Sequence, residues 1–154
     1  MRLEKPYLSK CRKNLTVANL LFRISENDSL KKALSLASGF ETYDWVTVVS
    51  YYSMYTSALA AISRLGFKSK SHAATITLLE RFYVQDRGME QKHLQNLAKA
   101  YALSGALITK LIQTKDKRET AQYDATPAIS RENAVSALRD ADEFITKVEE
   151  MLGK

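Results

Sequence analysis

With two histidines in 154 residues, any acid–base chemistry that uses imidazole has two places to sit, His72 and His93. His72 closes a run in which Arg64, Lys68 and Lys70 precede it. A neutral imidazole there can hydrogen-bond a phosphate or take a proton from a nucleophile, and the three cations would offset the phosphate charge. The alternative is a histidine that caps its helix and bonds internally. His93 lies in RGMEQKH, where five residues separate it from Arg87 and Gly88 supplies a bend. A guanidinium held against phosphate while imidazole abstracts a 2′-hydroxyl proton from RNA would expel the leaving oxygen as a cyclic phosphate forms, without a metal. The same two residues also make an ordinary solvated helix start. Arg118 and Tyr123, in RETAQYD, form the third pair. On a regular helix their separation turns the two side chains by about 140°, so both reach one ligand only where the helix ends or bends. Otherwise Arg118 makes a salt link and Tyr123 packs on the final helix.

Other chemistries lack their residues. The chain has no Gly-rich phosphate loop, no CxxC pair, no Glu-x-x-His and no histidine pair at helical spacing, so no metal and no cofactor is expected. Cys11, the single cysteine, cannot form an internal disulfide and falls in register with Leu8, Leu15, Ala18 and Phe22, as a core thiol would. The formal charge of +6 and pI near 9.4 create a field that attracts polyanions without selecting among them.

The elements that must position these residues are helices. Five glycines and two prolines leave long segments between breaks, and 45% hydrophobic content in 154 residues suits a single domain, 1–154, with one core. Apolar spacing predicts a helix over Tyr7–Ser25, a further turn or two over Ser29–Ala37 capped by Ser29, and a long helix over Tyr43–Leu65. In that long helix Val48, Tyr52, Tyr55, Leu59 and Ile62 form one stripe, with Ser50, Ser53, Ser57, Ala60 and Ala61 as a line of small residues beside it. Gly66 ends it, Ser69 or Ser71 caps the next helix, His72–Tyr83, and a step of four back from Ile76 places His72 at the inner end of the core face. A helix from about Glu90 to Lys115 or beyond, and a last one from Ser130, complete an all-α, antiparallel up-and-down bundle of four main helices plus a short additional helix. No apolar run approaches the roughly 18 to 20 residues of a membrane span, and Arg2, Lys5, Lys10, Arg12 and Lys13 break up any signal-peptide core, so a cytoplasmic chain with no membrane contact is expected.

Two segments resemble the HEPN family, the higher eukaryote and prokaryote nucleotide-binding domains, and particularly its compact prokaryotic members. SYYSMYTSALAAISRLGFKSKSHAATITLLERFYV is similar to that group's tyrosine-pair helix, glycine, Lys-Ser-His turn and short helix. RETAQYDATPAISRENAVSALRDADEFITKVEEML is similar to its Arg-x-x-x-Asp-Tyr segment, with Gln122 in place of the aspartate, and to its closing Ala-x-x-Phe helix. The resemblance implies a homodimer with a groove between protomers, and for many members a small nucleotidyltransferase partner in a toxin–antitoxin pair whose toxin cleaves RNA through an Arg-x(4 to 6)-His motif. Where that motif would fall, this chain has Arg118 and then Tyr123 without a histidine, and a phenol titrating near 10 is a weak base at neutral pH. The favoured reading is a nucleotide- or RNA-binding module using Arg64, Lys68, Lys70, His72, Arg118 and Tyr123. A metal-independent endoribonuclease, with His72 or His93 as base and Arg87 or Arg118 on the phosphate, is the alternative, and a non-catalytic helical adaptor is the third. The binding reading requires the cationic turn before His72 to meet the far end of the following long helix.

Overall fold

The computed structural model describes residues 3–116 and 129–153, with side chains as far as Thr109 in the first stretch. These residues form six helices and no strand: α1 (Glu4–Glu26), α2 (Asp28–Ala33), α3 (Tyr43–Arg64), α4 (His72–Leu79), α5 (Gln91–Asp116) and α6 (Arg131–Met151). The four long helices are those that the spacing of apolar residues predicts, and two short ones, α2 and α4, stand where a single short additional helix is expected. α1 starts earlier than expected, at Glu4, because Pro6 falls in the first turn, where an amide hydrogen has no intrahelical partner to lose. α2 is capped by Asn27 rather than Ser29: the Asn27 side chain accepts from the Leu30 amide at 2.9 Å. Ser35, at φ 57°, then turns the chain out of the helical conformation.

α3 is the central helix and packs against α1, α4, α5 and α6. Its line of small residues does what the spacing implies: Ser50, Ser53, Ser57, Ala60 and Ala61 are all buried, and the Ser53 hydroxyl donates to the Cys11 carbonyl of α1 at 2.6 Å. Tyr52 departs from its expected core stripe and stands 44% exposed, whereas Tyr51 is buried. The helices run antiparallel. The start of α1 meets the end of α3 through the Leu3 amide donating to Ser63 Oγ, and its end meets the start of α3 through Ser25 and Thr42. Arg12 clamps α6 to α1 through Glu149 and Asp142, and Arg131 reaches Glu26 at 2.7 Å. Along α6, Ala134, Ala141, Ile145 and Val148 lie in the core, and Leu152, just past its end, joins them.

The corner between α3 and α4 is built by two local devices. Gly66, at φ 84°, takes the left-handed conformation that ends α3, and Ser71 caps α4 by accepting from the Ala74 amide at 3.2 Å. α4 does not continue as a regular helix to Tyr83. Its last turn widens over Glu80–Val84, with the Gln85 amide donating to the Glu80 carbonyl at 3.2 Å, and the fully buried Tyr83 donates its hydroxyl to the Ala61 carbonyl at 2.6 Å. That bond ties α4 back to α3.

Candidate functional site at the His72 corner

The first residue of α4 is His72, and three tyrosines from two other helices enclose it. Its ring stacks between Tyr55 of α3, with centroids 4.2 Å apart, and Tyr101 of α5, 3.8 Å away. Tyr51, one turn before Tyr55, closes a third side at 5.1 Å and brings its hydroxyl to 3.4 Å from His72 Nδ1. Burial holds the imidazole below its ordinary pKa, so it is neutral at neutral pH. His72 Nε2 is buried and has no hydrogen-bond partner. Tyr101, 47% exposed, is the outer slab of this stack and the surface that solvent meets.

The turn leading to His72 is pinned from within. Ser69 Oγ donates to the Ser71 carbonyl at 2.9 Å, and the buried Thr75 hydroxyl contacts both Ser69 Oγ and the Ser71 carbonyl at 2.9 Å. Lys68 and Lys70 alternate with these serines, are exposed, and make no ion pair with the described residues. Arg64 is different. Its guanidinium donates to Glu4 Oε2 at 2.9 Å, and Glu4 is 6% exposed, so this cation is committed to a buried carboxylate between α1 and α3.

The Arg87 and His93 pair has a distinct setting. Arg87 is exposed, with its guanidinium 5.6 Å from the centre of the Tyr83 ring. His93 is 5% exposed, with Nδ1 at 3.3 Å from the Glu90 carbonyl and its ring edge-on to Phe144 at 6.5 Å. One side chain faces water and the other the core. Arg118 and Tyr123 lie outside the described residues. Among the described residues, α5 meets His72 through Tyr101.

Sequence reasoning missed Tyr101 as a site residue because its spacing with Leu94 and Leu97 places it on an apolar stripe. The readable signal was the aromatic pair Tyr51 and Tyr55, one turn apart on the face that precedes the corner, which needs a flat partner from another element. His93 also carried a signal: it stands four residues before Leu97, which is fully buried.

An antiparallel helical bundle with a tyrosine-enclosed histidine beside a cationic turn is the class that fold and site define. The family model of the HEPN domain matches residues 18–151, and the chain belongs to the HEPN family. It is also similar to a UPF0332 protein of Archaeoglobus fulgidus, at 25% identity over 112 residues that cover 73% of this chain and 78% of that protein. No described helix is long and apolar enough to cross a membrane.

Proposed function

We propose that this HEPN-family protein binds the phosphates of a nucleotide or RNA at the His72 corner, acts as a homodimer with a nucleotidyltransferase partner in a toxin–antitoxin-type system, and does not cut the RNA it holds. One observation carries the binding reading: two exposed lysines, without ion pairs among the described residues, project from a turn whose backbone is fixed by Ser69, Ser71 and Thr75. They stand at the start of α4, where the helix dipole also favours an anion. A rigid turn lowers the ordering cost of phosphate binding. The dimer and the nucleotidyltransferase are carried by the family resemblance, which implies such pairing for many compact members.

The placement of the histidines favours holding over cutting. A general base must come within hydrogen-bond reach of the proton it takes. His93 is in the core, and His72 keeps its Nε2 behind Tyr101.

Fluorescence anisotropy with single-stranded RNA and with mononucleotides, across a salt series, tests the proposal. Lys68→Ala and Lys70→Ala should each weaken RNA binding and reduce the salt slope by roughly 0.7, the value for one phosphate contact on a single strand. Salt-insensitive binding, or none, overturns it. RNA cleavage in chelator that is lost in His72→Ala or His93→Ala, with helical content intact, would restore the nuclease reading instead.

A further inference from the structure

A cavity of about 220 Å³ opens between α3, α5 and α6, with Tyr51 in its wall. Ser50, at 1% exposure, lines it, and the Ser50 hydroxyl has no hydrogen-bond partner. This is an anomaly within its own helix. The four other buried serine and threonine hydroxyls of α3 all donate: Thr47 to Tyr43, Thr56 to Tyr52, Ser57 to Met54 and Ser53 to Cys11 of α1. Ser50 alone among these five has no acceptor among the described residues, and a buried hydroxyl left without a partner is destabilising unless something else supplies the bond.

The walls specify what that partner is. On one side α5 contributes the Asn96 amide and the exposed Lys99, which has no ion pair among the described residues. On the other, α6 contributes Glu132 and Asp140, the latter with its side chain only 14% exposed and its Oδ1 3.1 Å from the Arg139 guanidinium. Between them Tyr51, Met54 and Leu103 are apolar. A small, flat body with hydrogen-bonding edges of both kinds fits this lining: acceptors toward Lys99 and Asn96, and N–H donors toward the α6 carboxylates.

We infer that the cavity is a second binding site, for an amino-bearing heteroaromatic base, with Ser50 bonding its buried end and Asp140 accepting from its exocyclic amine. The inference rests on the nucleotide reading of the protein for its class of ligand, and it adds a base-recognising site separate from the phosphate-binding turn. Adenosine, guanosine and cytidine carry the required amine. Uridine presents a carbonyl in its place and would set oxygen against carboxylate.

Nucleosides, which have no phosphate, separate this inference from the reading it rests on. Calorimetric titration of the full chain with adenosine, guanosine, cytidine and uridine should give saturable binding of at least one amino-bearing nucleoside, at least tenfold tighter than uridine. Asp140→Asn should erase that preference, and Ser50→Ala should weaken binding while raising Tm in the absence of ligand, since it removes an unpartnered hydroxyl. Lys68→Ala with Lys70→Ala should leave nucleoside affinity unchanged. The inference is overturned if no nucleoside saturates the protein, if uridine binds as tightly as the others, or if Asp140→Asn leaves the preference intact. Ser50→Ala serves as the internal control on folding, because a fall in Tm on that substitution would show the hydroxyl to be structurally partnered. RNA binding that persists while every nucleoside fails would leave the phosphate-binding turn standing and remove only the cavity.

Discussion

His72 and His93 each fall in the first turn of a helix, follow a bend made by a left-handed glycine, and have a basic residue within a few positions. Their surroundings diverge from there. His72 is stacked between Tyr55 and Tyr101 at the edge of the bundle, with one ring nitrogen unpartnered and two free lysines on the adjoining turn. His93 is enclosed by the core, bonded to its own turn at the Glu90 carbonyl and packed against Phe144. The pair teaches that local sequence marks where a histidine enters a helix, while the helices packed against it decide whether it is a surface group or a core group. Phe144 and Tyr101 make that decision here.

The largest effect should come from the core histidine. His93→Ala opens a cavity against Phe144 and should cost roughly 3 kcal/mol, a fall of about 6–12 °C in Tm for a chain of this size. His72→Ala forfeits ring stacking at a partly buried site and should cost about 1 kcal/mol. Thermal melts of both variants, followed by circular dichroism, check the order. Were His93→Ala to melt like the parent, its burial would count for nothing and the Arg87 and His93 pair would return as the working site.

A smaller effect sharpens the contrast among the cations of the His72 corner. Arg64→Ala leaves the Glu4 carboxylate buried without its partner, at a cost of about 1–3 kcal/mol. RNA affinity should change little, because Arg64 is held by that carboxylate at 2.9 Å. Lys68→Ala and Lys70→Ala should show the reverse pattern, with affinity lost and Tm kept. Melts and anisotropy run on the same preparations test both halves, and a loss of RNA binding in Arg64→Ala at unchanged Tm would make Arg64 a ligand contact.

Much of this arrangement was legible in the residues. Periodicity found the four long helices, and Gly66 with Ser71 found the corner, because a left-handed glycine and a capping hydroxyl act within a few residues of where they stand. What was not legible depends on contacts between helices distant in sequence. Tyr101 reads as one more apolar stripe residue until α5 is laid across α4, and Arg64 reads as a phosphate ligand until α1 brings Glu4 beside it. Tyr52 was placed inside by its spacing and lies outside, while its neighbour Ser53 is the residue that meets α1. Spacing identifies faces of a helix but not which neighbour each face meets.

The smallest effect tests the chemical half of the comparison, since it concerns a proton and no packing atom. Burial depresses the folded-state pKa of His72 below the value of about 6.5 that the unfolded chain retains. Between those two values the unfolded chain binds the proton more tightly, so acidification draws the equilibrium toward unfolding. The stability contributed by the neutral ring is therefore present above about pH 6.5 and is lost as pH falls through the folded value. His72→Phe keeps an aromatic slab between Tyr55 and Tyr101 while removing the titrating group. The difference in unfolding free energy between parent and variant, measured by denaturant titration at several pH values, should be constant above that window and should shift in favour of His72→Phe below it. Carboxylates elsewhere titrate alike in both proteins and cancel in the difference. A difference that does not change with pH would mean that the imidazole takes up its proton as readily between the tyrosines as in water. The stack would then be open enough to admit a charge, and His72 would have to be treated as a group that a phosphate can reach directly.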